Sequence, residues 1–204
     1  MIRTRHLPAA ALALGLAACA SEPAHYYTLL APAPAEAGTA SPAPFDFELV
    51  PVGIPAQVDQ PQLVIRQGGQ AVAPLSGERW IAPLADEVRA ALSADLAQAL
   101  HARDVTGLSS GGKPRLRIKV DLRRFDSDPG NYALVDAAWS VRQLQGDAML
   151  ACTGQFREPV GTGYGALVEG HQRALARLAE EIAQVAGSVA AGQSPACPVV
   201  GRGE

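Results

Sequence analysis

The clearest pattern along the chain is a strict alternation in its second half. Leu116, Ile118, Val120 and Leu122 alternate with Arg115, Arg117, Lys119, Asp121 and Arg123, which predicts a half-buried strand with a basic outer face. Ala133, Val135, Ala137, Trp139 and Val141 predict a second strand. After a turn at Gln145-Gly146-Asp147, Leu150, Cys152, Gly154 and Phe156 share one face of a third. Residues 114–158 therefore read as an antiparallel meander.

The first half carries shorter signals. His25-Tyr26-Tyr27-Thr28-Leu29-Leu30 is a short β-type segment, and residues 31–44, largely Ala and Pro, form a surface connection because proline removes backbone donors. Residues 45–54 resume strand character, with Phe45, Phe47 and Leu49 against Asp46 and Glu48, while Pro51 and Pro55 confine the strand to an edge or a bend. After a turn at Asp59-Gln60-Pro61, residues 62–66 and 71–75 flank Gly68-Gly69 as a hairpin.

Two segments show helical spacing. Pro83 suits a first helical turn, and Asp86 and Glu87 follow at the positive end of the dipole. Leu84, Val88, Leu92, Leu96 and Leu100, with Ala91 and Ala99, make one apolar stripe, while Arg89, Asp95 and Gln98 lie mostly elsewhere. Trp80 is expected to pack under the helix entrance, and residues 107–112 to loop away from its end. The loop 161–165 leads into a second helix over about 165–189, with Leu167, Leu175, Leu178, Ile182, Val185 and Val189 inward. Strands, helix, strands, helix predict an α/β (α+β) sandwich: a mixed, largely antiparallel sheet with two main helices packed on it. We read residues 25–192 as one domain and 193–204 as an irregular tail.

The N-terminus changes the setting. Arg3 and Arg5 precede an uncharged Ala/Leu-rich run over residues 7–18, the pattern of a signal peptide and too short to span a bilayer. Leu16-Ala17-Ala18-Cys19 resembles a bacterial lipobox, in which small residues fit the peptidase and the Cys19 thiol carries lipid. An ordinary signal peptide with a coincident Cys, or a buried N-terminal helix, fits the same residues less closely. On the lipobox reading, residues 1–18 are removed, residues 19–24 form a lipidated tether, and the protein is held on a membrane by its anchor. Ala20 rather than Asp at the next position resembles Gram-negative lipoproteins sorted to the outer membrane.

Composition narrows the partners. Removing residues 1–18 from 204 leaves 186, enough for a proper core, and losing Arg3 and Arg5 takes the formal charge from −3 to −5. That acidic balance argues against nucleic acid. Cys152 and Cys197 remain after Cys19; in an oxidising compartment they can bridge, tying the tail to the body, or stay as separate thiols. The basic face of Arg115, Arg117, Lys119 and Arg123 could meet anionic headgroups or an acidic partner, or could simply be a solvated face that resists edge pairing.

No catalytic constellation is legible. His25, His101 and His171 stand without ligand-spaced partners, so neither metal nor cofactor is expected. Residues 161–165 lack the Gly-Lys-Ser/Thr of a P-loop, and Ser109-Ser110-Gly111-Gly112 lacks the setting of a nucleophile elbow. Asp126 and Asp128 read as part of a solvated turn before Pro129-Gly130. No enzyme activity is expected.

Taken together, the lipobox, Tyr26-Tyr27-Thr28-Leu29, Ile54-Pro55 leading to Asp59-Gln60-Pro61-Gln62-Leu63-Val64, Trp80 with Pro83-Leu84, and Gly163-Tyr164 resemble the ABC-type transport auxiliary lipoproteins of the PqiC kind. Gln57, Gln60 and Ile81 depart from that pattern. The resemblance implies an auxiliary subunit of a lipid transport system, working with an MCE-domain protein and an inner-membrane permease and docking the former at the outer membrane, with a homo-oligomeric ring as one arrangement. The rival reading is a stand-alone periplasmic binding protein for a lipid or other apolar ligand, which requires a continuous apolar cavity between sheet and helices. A third is an envelope lipoprotein with a purely structural role.

Overall fold

A computed structural model describes residues 23–32, 41–108 and 111–198. The lipobox residues Leu16, Ala17, Ala18 and Cys19, most of the Ala/Pro-rich connection, Ser109 and Ser110 lie outside the described residues, as does the end of the tail from residue 199.

The fold is mixed α+β, and its strands divide between two sheets. One has the order β1-β4-β3, built from β1 (His25–Tyr27), β3 (Gln62–Arg66) and β4 (Val72–Trp80). The other has the order β2-β5-β6-β7, with β2 (Asp46–Leu49), β5 (Arg115–Asp128), β6 (Tyr132–Gln143) and β7 (Met149–Pro159). Two pairings are parallel and join segments distant in sequence: β1 lies along the end of β4, and β2 along the start of β5. The meander β5-β6-β7 is antiparallel throughout.

Local chemistry sets most boundaries. Strand β2 ends at Leu49, shorter than the alternation suggests, because Pro51 lies two residues on; Val50 N–H still donates to Ile118 C=O at 3.1 Å, and the chain meets β5 again at the isolated bridge of Gly53 with Asp121. The outer edge of β2 is covered by the segment after the first helix, with Phe47 N–H donating to Arg103 C=O at 3.0 Å and Val105 N–H to Phe47 C=O at 2.8 Å. Strand β4 runs five residues beyond the expected hairpin, because β1 supplies partners for residues 78–80. Asp126 and Asp128 belong to β5 itself, and the turn begins only after them.

Helix α1 (Leu84–Leu100) starts after Pro83, whose carbonyl accepts from Asp86 N–H and Glu87 N–H at 2.9 and 3.0 Å. It ends at His101 in the left-handed region, φ 50°. Helix α2 (Tyr164–Ala190) follows Gly163 at φ 100°, a conformation glycine adopts without a Cβ penalty. It packs across β5, β6 and β7, while α1 lies beside it. Leu167, Leu175, Leu178, Ile182 and Val189 on α2 are buried; each such side chain contributes about 1.5–3 kcal/mol relative to exposure. All of these but Leu167, together with Phe47, Leu49, Ile118, Val120, Trp139 and Phe156, fill the space between the four-stranded sheet and the helices. Among the described residues, no helix covers the opposite face of that sheet.

Candidate functional site

A groove with a largely apolar lining opens where β4 turns into α1. It holds about 350 Å³ and is lined by Asp59, Gln60 and Pro61 on one side and Trp80, Ile81, Ala82, Pro83 and Leu84 on the other. These residues meet because β3 and β4 pair antiparallel: Trp80 N–H donates to Pro61 C=O at 2.9 Å, which brings the turn before β3 against the end of β4. Ile81, at 60% exposure, projects from the rim, whereas Trp80 beneath it is 5% exposed. A large aliphatic side chain in water beside a buried aromatic base is an arrangement suited to contact with another apolar surface.

A buried column supports the groove from below. Trp80 meets Phe125 edge to face, with centroids 6.1 Å apart, and Phe125 stacks on His171 of α2. His171 in turn bonds Ser127 through Nε2 at 2.8 Å. Burial pushes the His171 imidazole down to about 3, only partly opposed by Asp126. The ring is therefore a neutral packing element rather than an acid–base group at pH 7.

The segment after β1 holds the groove's other flank. Ile81 N–H donates to Tyr27 C=O at 2.9 Å. The Thr28 hydroxyl and the Leu29 N–H both donate to Glu87 of α1 at 2.8 Å. One buried carboxylate thus pins the residues that follow β1 to the first turn of the helix, and these bonds turn the chain away before the expected strand can continue to Leu30. Burial, with the Glu78 carboxylate beside it, pushes the Tyr27 hydroxyl up to about 12. Glu78 is also bonded to His25 at 3.0 Å; burial would raise its carboxyl, and the bonds from Tyr27 and His25 outweigh that and hold it low.

The basic strand face has a different character from the one its alternation suggests. Arg115 and Arg117 share Glu48 of β2, at 2.6 and 3.1 Å. Lys119 pairs with Asp121 at 2.9 Å, and Arg123 lies 3.8 Å from Asp136. Each cation has a carboxylate, so the face presents ion pairs rather than a field of positive charge. A bulge between Leu122 and Arg124 leaves both Arg123 and Arg124 outside and returns Phe125 to the core. Beyond it, Asp126 is paired with Arg66 at 2.9 Å and with Arg124. These two cations outweigh burial and hold the Asp126 carboxyl below its usual range.

Cys152 and Cys197 are joined in a disulfide, with Cα atoms 5.8 Å apart, which ties the tail to the edge strand β7. Among the described residues no group of three or more His, Cys, Asp or Glu is placed to hold a metal ion. No helix among them is long and apolar enough to cross a membrane.

Residues 27–183 match the family model described as ABC-type transport auxiliary lipoprotein component. A crystal structure of an uncharacterized protein superposes with TM-score 0.62 at 16% identity, covering 80% of this chain and 98% of the other. A DUF330 protein from Xanthomonas campestris gives TM-score 0.54 at 16% identity, covering 72% of this chain and 86% of its own. At such identities the likeness is one of fold. No curated protein matches the chain in sequence.

Proposed function

Since the chain belongs to the family of ABC-type transport auxiliary lipoprotein components, we propose that it is an outer-membrane-anchored periplasmic subunit of a lipid transport system, docking an MCE-domain partner whose route continues through an inner-membrane permease. The observation that carries this reading is the family match over residues 27–183, which includes every element of the groove. Cys19 would carry the anchor, and the protein would act by binding rather than catalysis.

The docking face we assign is the groove at Ile81. The chain enters the described structure at Pro23, whose carbonyl lies beside Gly77 of β4, and β4 then runs on to Trp80 and the groove. A protein tethered through residues upstream of Pro23 holds that groove away from its anchor, open to a partner in the periplasm. The filled core between the four-stranded sheet and the helices favours docking over the rival carrier, which needs an apolar cavity there.

The test is capture of the lipidated protein from native membranes, with proteins and lipids identified by mass spectrometry. Recovery of an MCE protein with a permease is expected, and Ile81→Asp should lose them while still folding. Stoichiometric lipid without those proteins would overturn the docking reading in favour of a carrier. Cys19→Ala should give a folded protein released from the membrane.

A further inference from the structure

We propose that the tip of the β3–β4 hairpin, residues 67–76 around Val72, rests on the lipid surface to which the protein is anchored. The inference relies on the reading of Cys19 as the lipidated residue. Three observations converge on it.

The first is direction. Strand β1 is parallel to β4, with His25 opposite Glu78 and Tyr27 opposite Trp80. Followed backwards, the chain therefore leaves β1 towards the start of β4, and Pro23 already lies beside Gly77. The start of β4 is the hairpin tip, since Val72 pairs with Arg66 across the Gly68-Gly69 turn.

The second is reach. Pro23 lies four residue steps after Cys19, and an extended chain spans at most about 3.3–3.6 Å per residue. Cys19 must therefore lie within roughly 14 Å of Pro23. The five residue steps of β4 from Gly77 back to Val72 cover about 16 Å at strand rise. The anchor can therefore reach most of the way to the hairpin tip, and the direction in which the chain leaves β1 points it to that end; a domain tethered so closely cannot hold that pole far from the bilayer.

The third is composition. From Gln67 to Gly77 the chain has no Asp, Glu, Lys, Arg or His, although 18% of the whole sequence is charged. Residues 67–72 are all exposed, and Val72 is exposed at 54%. A solvent-facing hairpin would ordinarily carry charges that guard its edge and keep it soluble. An uncharged Gly/Gln/Ala/Val tip instead loses nothing to desolvation of ions on entering the headgroup region, and its Val72 side chain gains from it.

The test uses the full-length lipidated protein in vesicles of phosphatidylethanolamine and phosphatidylglycerol. An environment-sensitive fluorophore is attached at Val72→Cys, at Gln70→Cys or, at the far end of β4, at Ile81→Cys. Blue-shifted emission and quenching by lipids bearing a shallow nitroxide are expected at positions 70 and 72 and not at 81. If the protein floats with the vesicles and positions 70 and 72 behave like 81, the hairpin contact is wrong while the anchor stands. Quenching at 81 alone would mean the opposite orientation and overturn the proposal. Failure to float would remove the Cys19 reading and the proposal with it.

Discussion

Phe125 and His171 stack face to face, with ring centroids 3.8 Å apart and planes within 8°. The pair joins β5 to α2 at the point where the groove's aromatic base, Trp80, also meets Phe125. An imidazole can serve there only while uncharged, because it is fully buried and its Nδ1 has no partner among the described residues.

Acid should therefore act through His171. Its folded value lies near 3, below the ordinary 6.5, so between these limits the unfolded chain binds the extra proton. Stability contributed by the neutral ring is present above about pH 6.5 and is lost as pH falls, by up to about 1.4 kcal/mol per pH unit. His171→Phe keeps a stacked ring and cannot protonate. Thermal melts from pH 7 to pH 4 should show a flatter slope for this variant than for the wild type; equal slopes would mean that His171 is not the acid-sensitive group.

A second titrating group works in the opposite sense. Asp95 of α1 faces Glu180 in the groove between the helices, where His101 also lies, and Glu169 and Arg173 line the adjoining hollow. Burial first, and then the Glu180 charge, push its carboxyl up to about 6 from 3.8. The folded state thus holds a proton that the unfolded chain has released, and stability is lost as pH rises through this window. Asp95→Asn should raise the midpoint of unfolding at pH 7, by about 1 kcal/mol once solvent screening is allowed for, and should change little at pH 4. Chemical denaturation at the two pH values reads the difference.

Much of this architecture is legible in residue spacing, and the exceptions share a cause. The alternation from Leu116 to Leu122 and the apolar stripe on α2 report burial directly, because a strand or helix presents its faces at a fixed period. The same periodicity contained more than it first suggests. His171 stands four residues from both Leu167 and Leu175, on the buried stripe, and Asp95 stands four from both Ala91 and Ala99. What periodicity does not carry is pairing between distant segments. The three residues of β1 contain nothing that selects β4, and Glu48 contains nothing that selects Arg115 and Arg117. The separation into two sheets and the neutralised basic face both follow from such pairings. The bulge at Arg123 and Arg124 does leave a trace, because two adjacent arginines interrupt the alternation just before Phe125.

Close approach of α2 to the sheet depends on Gly170. A Cβ there would overlap the Val160 side chain and lie 3.0 Å from the Ala133 Cβ. Both neighbours belong to the small cluster with Ile65 and Leu167 that packs under the start of the helix. Alanine would gain helix propensity, yet it must displace Ala133 of β6 and Val160, just past the end of β7, both buried. Overpacking of this kind costs about 1–3 kcal/mol. Gly170→Ala is accordingly expected to lower the melting temperature, whereas Gly187→Ala, whose Cβ meets nothing within 4 Å, should raise it slightly. Equal effects at the two positions would contradict the tight contact.

The disulfide between Cys152 and Cys197 has a consequence that is separate from the core. Cys152 sits opposite Trp139 on the inner face of the sheet, and Cys197 reaches it from an exposed tail beyond the end of α2. The two are 45 residues apart in sequence, and closing such a loop restricts the unfolded chain by up to about 4 kcal/mol in the chain-entropy account. The paired variant Cys152→Ala with Cys197→Ser should therefore keep the fold, since the buried partner is replaced by an apolar residue, and should unfold at markedly lower denaturant. In the wild type, reduction should give the same loss. If reduction leaves the denaturation midpoint unchanged, the bridge does not constrain the unfolded chain, and the attachment of the tail to β7 contributes nothing to stability.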